Sequence, residues 1–264
     1  MRMFMLAASL LTAGSALADE RFDCVLDPSA IVKVGSPMPG LLSEVLVQRG
    51  TSVQLGQPVA RLEATVEAAT VMLYEAQATS RAAITAQEAR VELSRRKLER
   101  ASRLASSAIV AQQDLETQQA ELSIARQELA RATEQRDIAR LELERARAAL
   151  AVRIIRSPID GVVTERTLAG GEYVNQEGSI VTVAALNPLF VETFLPIRHY
   201  GSIAVGDSAV VETDAPLAGI YNARVAVIDR VFDAASGTFG IRLTLDNLDS
   251  RLPAGLRCKV KFGS

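Results

Sequence analysis

Imidazole and sulfur are scarce in this 264-residue chain: it has one histidine, His199, two cysteines, Cys24 and Cys258, and five methionines, three of them within the first five residues. A zinc or soft-metal centre gathers three or four such side chains at one point, so the chain is poorly supplied for one. His199, in "LPIRHYG", has no cysteine, second histidine or nucleophile at a motif spacing, and reads as a packing or surface residue. Glycine-rich phosphate loops and a G-x-S-x-G elbow are missing, and so are paired carboxylates outside helix surfaces. The expectation is a protein that is not an enzyme and carries no cofactor and no metal. Excess positive charge is missing too. Past residue 18 there are 28 basic residues against 31 acidic ones, a net charge of −3, which excludes a nucleic-acid footprint.

Long apolar runs are absent except at the start. "MRMFMLAASLLTAGSALADE" places Arg2, an apolar run and Ala16-Leu17-Ala18 in the order of a cleavable export signal with an A-x-A site, giving a mature chain from Asp19. No other stretch of about 18 apolar residues could span a membrane. Cys24 follows Arg21-Phe22-Asp23, which is not the position of a lipid-anchored cysteine. The chain is therefore expected to be exported and to lack a membrane anchor of its own. An oxidising compartment leaves two readings of Cys24 and Cys258: a disulfide, or two buried thiols acting as small hydrophobes.

Proline and glycine vanish from residues 59–157, although the chain holds nine prolines and sixteen glycines elsewhere. Strong helix formers fill that window. Apolar residues fall into heptads at Leu122/Ala125, Leu129/Ala132, Ala139, Leu143/Ala146 and Leu150. A looser set precedes them at Val66/Ala69, Leu73/Ala76, Ile84, Val91 and Leu98/Ala101. The pattern is a coiled-coil seam. Serine-bearing, uncharged "ASSAIVA" at residues 105–111 marks a midpoint, so two antiparallel helices of about 40 residues, each ~60 Å long, are expected. Between residues 64 and 152, 13 basic and 13 acidic residues cancel, which reads as a solvated outer face. Lys97, between Arg96 and Leu98, is one of these solvated charges.

Either side of this window stand two copies of one pattern: "SPMPGLLSEVLVQRGTSVQLGQPVARL" from Ser36 and "SPIDGVVTERTLAGGEYVNQEGSIVTV" from Ser157. Gly50 aligns with Gly171, Val53 with Val174, and Gly56 with Gly178 after one inserted residue. Short β-branched runs between glycine and proline turns predict strands, and neither copy has enough apolar surface to fold alone. Downstream, Phe239, Ile241, Leu243 and Leu245 alternate with polar or small residues, as do Val260 and Phe262, predicting half-buried strands. Cys24 shares its face with Phe22 and Leu26, and Cys258 shares one with Val260 and Phe262.

Two such half-motifs around a proline-free coiled coil resemble the split lipoyl-like domain of HlyD-type membrane fusion proteins, the periplasmic adaptors of tripartite efflux pumps. "NPLFVETFLPIRHYGSIAVGDSAVV", "VFDAASGTFGIRLTLDN" and "LPAGLRCKV" resemble the β-barrel of that family. The resemblance implies an elongated, modular α+β fold: an antiparallel coiled-coil hairpin inserted in a split lipoyl-like β domain, followed by a β-barrel domain. On it, residues 1–18 are the signal, 19–30 a strand joining the barrel, 31–62 the first half and 63–152 the hairpin with its tip about 105–111. Residues 153–186 are then the second half and 187–264 the barrel, with the family's membrane-proximal domain absent. The implied partners are an inner-membrane transporter of the RND type, or an ABC-type exporter, an outer-membrane TolC-like channel, and further copies in a homo-oligomeric ring. The implied location is the periplasm, and the alternative to a transport adaptor is a periplasmic coiled-coil scaffold not engaged in transport. A family arginine–leucine–serine tip motif falls on Arg100, Leu104 and Ala111, so the channel contact is carried over to Arg100, Leu104, Ile109, Ala111 and Asp114. Alanine at 111 cannot accept hydrogen bonds at the start of the second helix, and Ser107 is expected to cap it instead. Barrel loops at 197–202 and 233–237 are candidates for the transporter contact. Lipoyl carriers hold a modified lysine on the turn that the hairpin occupies here, and Lys33, Lys97, Lys259 and Lys261 all lie elsewhere.

Overall fold

The structure is a computed structural model and describes residues 20–105 and 110–263. The first part of the chain forms strands β1 (Phe22–Gly35), β2 (Gly40–Val45), β3 (Ser52–Val53) and β4 (Pro58–Leu62). Helices α1 (Thr65–Thr79), α2 (Ala82–Ala105) and α3 (Val110–Ala151) follow. Strands β5 (Ile154–Arg156), β6 (Gly161–Arg166), β7 (Tyr173–Val174) and β8 (Ser179–Pro196) come next. After a 3-10 turn at Ile197–His199 the chain ends in β9 (Ser208–Thr213), β10 (Gly219–Ile228), β11 (Thr238–Leu245) and β12 (Arg257–Phe262). Two compact units result. One holds residues 45–60 and 156–263 together with the first strand, and the other holds 40–44 and 61–155.

In the first unit, antiparallel neighbours run β1-β12-β9-β10-β11-β8, and β8 pairs again with β1, which closes a six-stranded barrel. Closure leaves these strands without a free edge. The alternation read from the sequence turns Phe239, Ile241, Leu243, Leu245, Val260 and Phe262 inward, all buried. Leu26, Leu189 and Val211 complete the core from the other strands. Cys24 and Cys258 face each other across β1 and β12 with their Cα atoms 4.8 Å apart, and they form a disulfide. His199 is buried with its ring edge-on to Phe22 at 5.4 Å, a packing position.

β1 and β8 run on past the barrel, with a register shift between Pro28 and Ala30, as far as Gly35 and Ser179. There β6 pairs with β8, and β3 pairs with β6 through Ser52–Val162 and Val53–Gly161. Strands from the two sequence copies therefore lie in one sheet, as two patterns unable to bury a core singly require.

The copies share a set of turn bonds at a constant offset of 121 positions, Ser36 to Ser157. Ser36 Oγ donates to the Met38 carbonyl, and Ser157 Oγ to the Ile159 carbonyl at 2.7 Å. Gly50 and Gly171 take φ of 88° and 89°, a left-handed backbone that glycine adopts at little cost and other residues rarely do. The Leu46 N–H donates to the Val59 carbonyl at 2.9 Å, and the Thr167 N–H to the Ile180 carbonyl at 2.9 Å. Leu42 and Val163 are buried, as are Val53 and Val174.

The expected insertion before Gly178 does not occur. The turn closed by Gln57 N–H on the Gln54 carbonyl is matched by Gly178 N–H on Asn175, so Gly178 answers to Gln57 and not to Gly56. The misalignment arose because glycine serves different ends at the two places. Gly56 supplies a φ of 79°, whereas a β-carbon on Gly178 would meet Asn175 Oδ1.

The helical unit also departs from expectation. Its outgoing arm is one helix of 42 residues, about 63 Å long. The incoming arm is two helices of 15 and 24 residues, parted at Ser80, which is extended at φ −65° and ψ 126°. Thr79 Oγ1 donates to the Glu75 carbonyl at 2.7 Å, offering the last turn a side-chain partner in place of a continued ladder. The break shifts the seam by one position. On α2 and α3 the heptad residues turn inward, with Ile84, Ala101, Leu122, Ala125, Leu143 and Ala146 buried. On α1 the half-buried positions are Glu67, Ala68, Thr70, Val71, Tyr74 and Ala78, while the expected seam residues Val66 and Leu73 are 74% and 56% exposed.

Two stability outcomes are expected. A β-carbon on Gly161 would run into the backbone carbonyl of Ala184, so Gly161→Ala should cost about 1–3 kcal/mol in thermal melts followed by circular dichroism. Replacing Cys24 and Cys258 together by serine should cost about 2–4 kcal/mol in the same measurement, and reduction should do likewise.

Candidate interaction site on the helical hairpin

The hairpin is anchored where its two ends meet. Leu62 N–H donates to the Arg153 carbonyl at 2.9 Å, and Glu63 N–H to the Leu41 carbonyl at 2.8 Å. Glu63 then starts α1: its Oε1 accepts the N–H groups of Ala64 at 3.2 Å and Thr65 at 3.0 Å and the Thr65 hydroxyl. The Thr65 hydroxyl, followed by its N–H, holds the Glu63 carboxyl below the usual carboxylate range. A carboxylate placed there satisfies orphan donors at the positive end of the helix.

One turn further on, the Arg153 guanidinium pairs with Glu67. Both side chains are only about a fifth exposed, and Arg153 Nε is buried without a partner, so this pair is the least hydrated of the arm. Three more ion pairs join the arms: Glu75–Arg147 at 2.8 Å, Arg90–Glu128 at 2.5 Å and Lys97–Glu121 at 3.3 Å. Lys97 is thus not simply solvated, as the sequence suggested. Each exposed pair is worth at most about 1 kcal/mol, but at successive heights they favour one alignment of the arms. Ser94 is buried in the seam, and the amide oxygens of Gln87 and Gln118 are buried there too. Polar seam groups penalise sliding of one arm along the other.

Towards the tip, Arg100, Leu104 and Asp114 are exposed. Asp114 accepts a weak bond from Gln118 Nε2 at 3.4 Å. Glu99 pairs with Arg103 at 3.2 Å. Ile109 and the cap expected at Ser107 lie outside the described residues. Ala111 falls in the first turn of α3, its side chain likewise outside them. Sequence reasoning missed Arg153 and Glu67, which stand at the hairpin's ends where neither heptad nor turn chemistry points. Opposite charges at the two ends of the apolar repeat, Glu67 beside its first residue Val66 and Arg153 past its last residue Leu150, were the available signal.

Among the described residues, no group of three or more His, Cys, Asp or Glu could hold a metal. No helix among them is long and apolar enough to cross a membrane. The hairpin presents a surface: a long, internally braced arm with exposed Arg100, Leu104 and Asp114 towards its tip.

A helical hairpin spliced into a repeated β motif, with a β-barrel from the same chain, is the fold of the membrane fusion proteins. The chain belongs to the CzcB-like barrel-sandwich hybrid family, whose sequence model matches residues 30–185. It is similar to an uncharacterized protein of Haemophilus influenzae, 25% identical over 84% of this chain, and spans about half of that protein's length, 52%. The crystal structure of MacA from Actinobacillus actinomycetemcomitans shares the fold with a TM-score of 0.72 at 20% identity, covering 92% of this chain and 78% of that one. A MacA–MexA chimera carrying the Pseudomonas aeruginosa MexA α-hairpin shares it with a TM-score of 0.60 at 18% identity, covering 94% and 83%.

Glu92 offers a check on the arm's surface. Hydrogen bonds from Arg95, then from Arg96, lower its carboxyl from 4.5 to about 2. A depressed folded value means that the contribution is complete above pH 4.5 and is lost as pH falls through about 2. Side-chain carboxyl resonances should show Glu92 still ionised at pH 3, and replacing Arg95 and Arg96 by methionine should return its midpoint towards 4.5.

Proposed function

We propose that this protein is a periplasmic adaptor that links an inner-membrane RND-type transporter to an outer-membrane TolC-like channel for efflux. It works as a homo-oligomeric ring. The two half-motifs form a split lipoyl-like domain, and the hairpin tip, with Arg100, Leu104, Ile109, Ala111 and Asp114, meets the channel. The single observation that carries this reading is that two half-motifs with shared turn bonds pair their strands in one sheet on either side of an inserted, internally braced hairpin. Such an arrangement performs no chemistry; it holds an arm at a defined place and lets that arm be gripped at its far end. Barrel loops at 197–202 and 233–237 serve the transporter side, where Tyr200 and Phe232 pack edge-on at 4.8 Å and remain partly exposed.

The test is in-cell photocrosslinking from position 106 with the captured protein identified by mass spectrometry. An outer-membrane channel protein should be captured; Arg100→Glu with Leu104→Glu should lower that capture at least tenfold, and deletion of residues 100–114 should lower drug tolerance to that of a strain without the gene. Capture of the protein's own copies alone, with tolerance unchanged by the deletion, would sink the adaptor reading.

A further inference from the structure

The two ends of the barrel differ. β1 and β8 leave one end for the sheet of the half-motifs. At the other end β1 starts, β8 stops, and the loops 197–207 and 229–237 turn the chain around. Ile197, Tyr200, Val205, Val231 and Phe232 stand exposed on these loops. The loops are tied together, since Ile197 N–H donates to the Gly237 carbonyl at 3.0 Å and Tyr200 packs edge-on to Phe232 at 4.8 Å. Both rings also rest on the buried ring of Phe239, at 5.3 and 6.1 Å. Each ring is therefore held with one part in the core and another in solvent. Core packing accounts for the rings but not for Val231, which is 86% exposed.

We propose that these loops seat the barrel on a phospholipid surface, with Val205, Val231 and the outer edges of Tyr200 and Phe232 entering the headgroup layer. The inference deepens the adaptor reading, on which this end faces the inner membrane, and names the lipid beside the transporter as what the loops touch. The course of the chain favours lipid as the occupant. Glu20 holds Arg198 at 2.8 Å, and its Oε2 lies 3.3 Å from His199 Nε2, so the chain enters the barrel at this end. The residues before Glu20 carry the apolar run read as an export signal, which is cut at the outer face of a membrane. The loops thus belong to the part of the mature chain that begins at a bilayer surface. Their chemistry agrees. Fixed rings with one wet edge suit the boundary between headgroups and acyl chains. Asp233 is turned onto its own turn, where it accepts the Ala235 N–H at 2.9 Å. Arg230, next to Val231, has no partner among the described residues and is long enough to reach a lipid phosphate.

The chain contains no tryptophan, so one placed in the loop reports on its surroundings alone. The full mature chain carrying Val231→Trp should shift its emission to the blue on vesicles of phosphatidylethanolamine and phosphatidylglycerol, and lipids brominated along the acyl chains should quench it. Leu248→Trp is the control: Leu248 is 83% exposed just past β11, at the opposite end of the barrel, and should show neither effect. In the tryptophan-free chain, Val205→Glu with Val231→Glu should lower cosedimentation with these vesicles about fivefold, with circular dichroism unchanged. No quenching at 231, equal quenching at 231 and 248, or cosedimentation unaffected by the double variant would overturn the proposal. So would in-cell photocrosslinking from position 231 that captures the transporter while vesicles leave the Val231→Trp emission unmoved, which would assign the loops to protein. Channel capture from position 106 is read separately. Lost capture with lipid quenching intact would count against the adaptor reading and leave this contact standing.

Discussion

The structure depends on bringing residues 62 and 153 together. The hydrogen bond from Leu62 N–H to the Arg153 carbonyl joins the two ends of a long helical excursion. Without that meeting, the strands before and after the excursion could not share a sheet. Each half-motif is too small to exclude water from its own apolar face, so folding of the β repeat and closure of the hairpin are one event. The Glu67–Arg153 pair stands one turn from the joint, where lost hydration is best offset by close, fixed geometry.

Seen from this constraint, the length of the arm is thermodynamically cheap. Closing a loop costs only a slowly rising entropy with length, and the helices supply their own order through the seam and four cross-arm ion pairs. What is costly is misalignment, because the ends must return in register with the sheet. The cross-arm ion pairs at successive heights carry that alignment, in a seam otherwise built from interchangeable alanine and leucine.

Much of this was legible in the sequence, for physical reasons. Turns that require a positive φ or a side-chain bond to a nearby carbonyl leave the same residues behind wherever they recur, so Ser36 and Gly50 announced Ser157 and Gly171. Barrel strands were visible in the two-residue alternation of Phe239 to Leu245. The break at Ser80 was not, because a threonine and a serine inside a good helix former's sequence are usually tolerated. Missing it also misassigned Val66 and Leu73, since a one-position slip rotates a helix face by about 100° and leaves composition untouched. Gly178 was misaligned because identical residues were taken to do identical work. Near the tip the residues proposed for recognition are ordinary helix-surface types, and nothing in their own spacing marks them out.

The disulfide between Cys24 and Cys258 has a mechanical meaning. It makes the polypeptide between those residues a covalent loop, 234 positions around, containing the repeat and the hairpin alike. Tension applied outside the two cysteines passes through the sulfur bridge and not through the strands between them. What reaches the loop then comes through the sheet, where Val260, Lys261 and Phe262 beyond Cys258 pair with Val211, Val210 and Ala209, and not along the backbone of the arm.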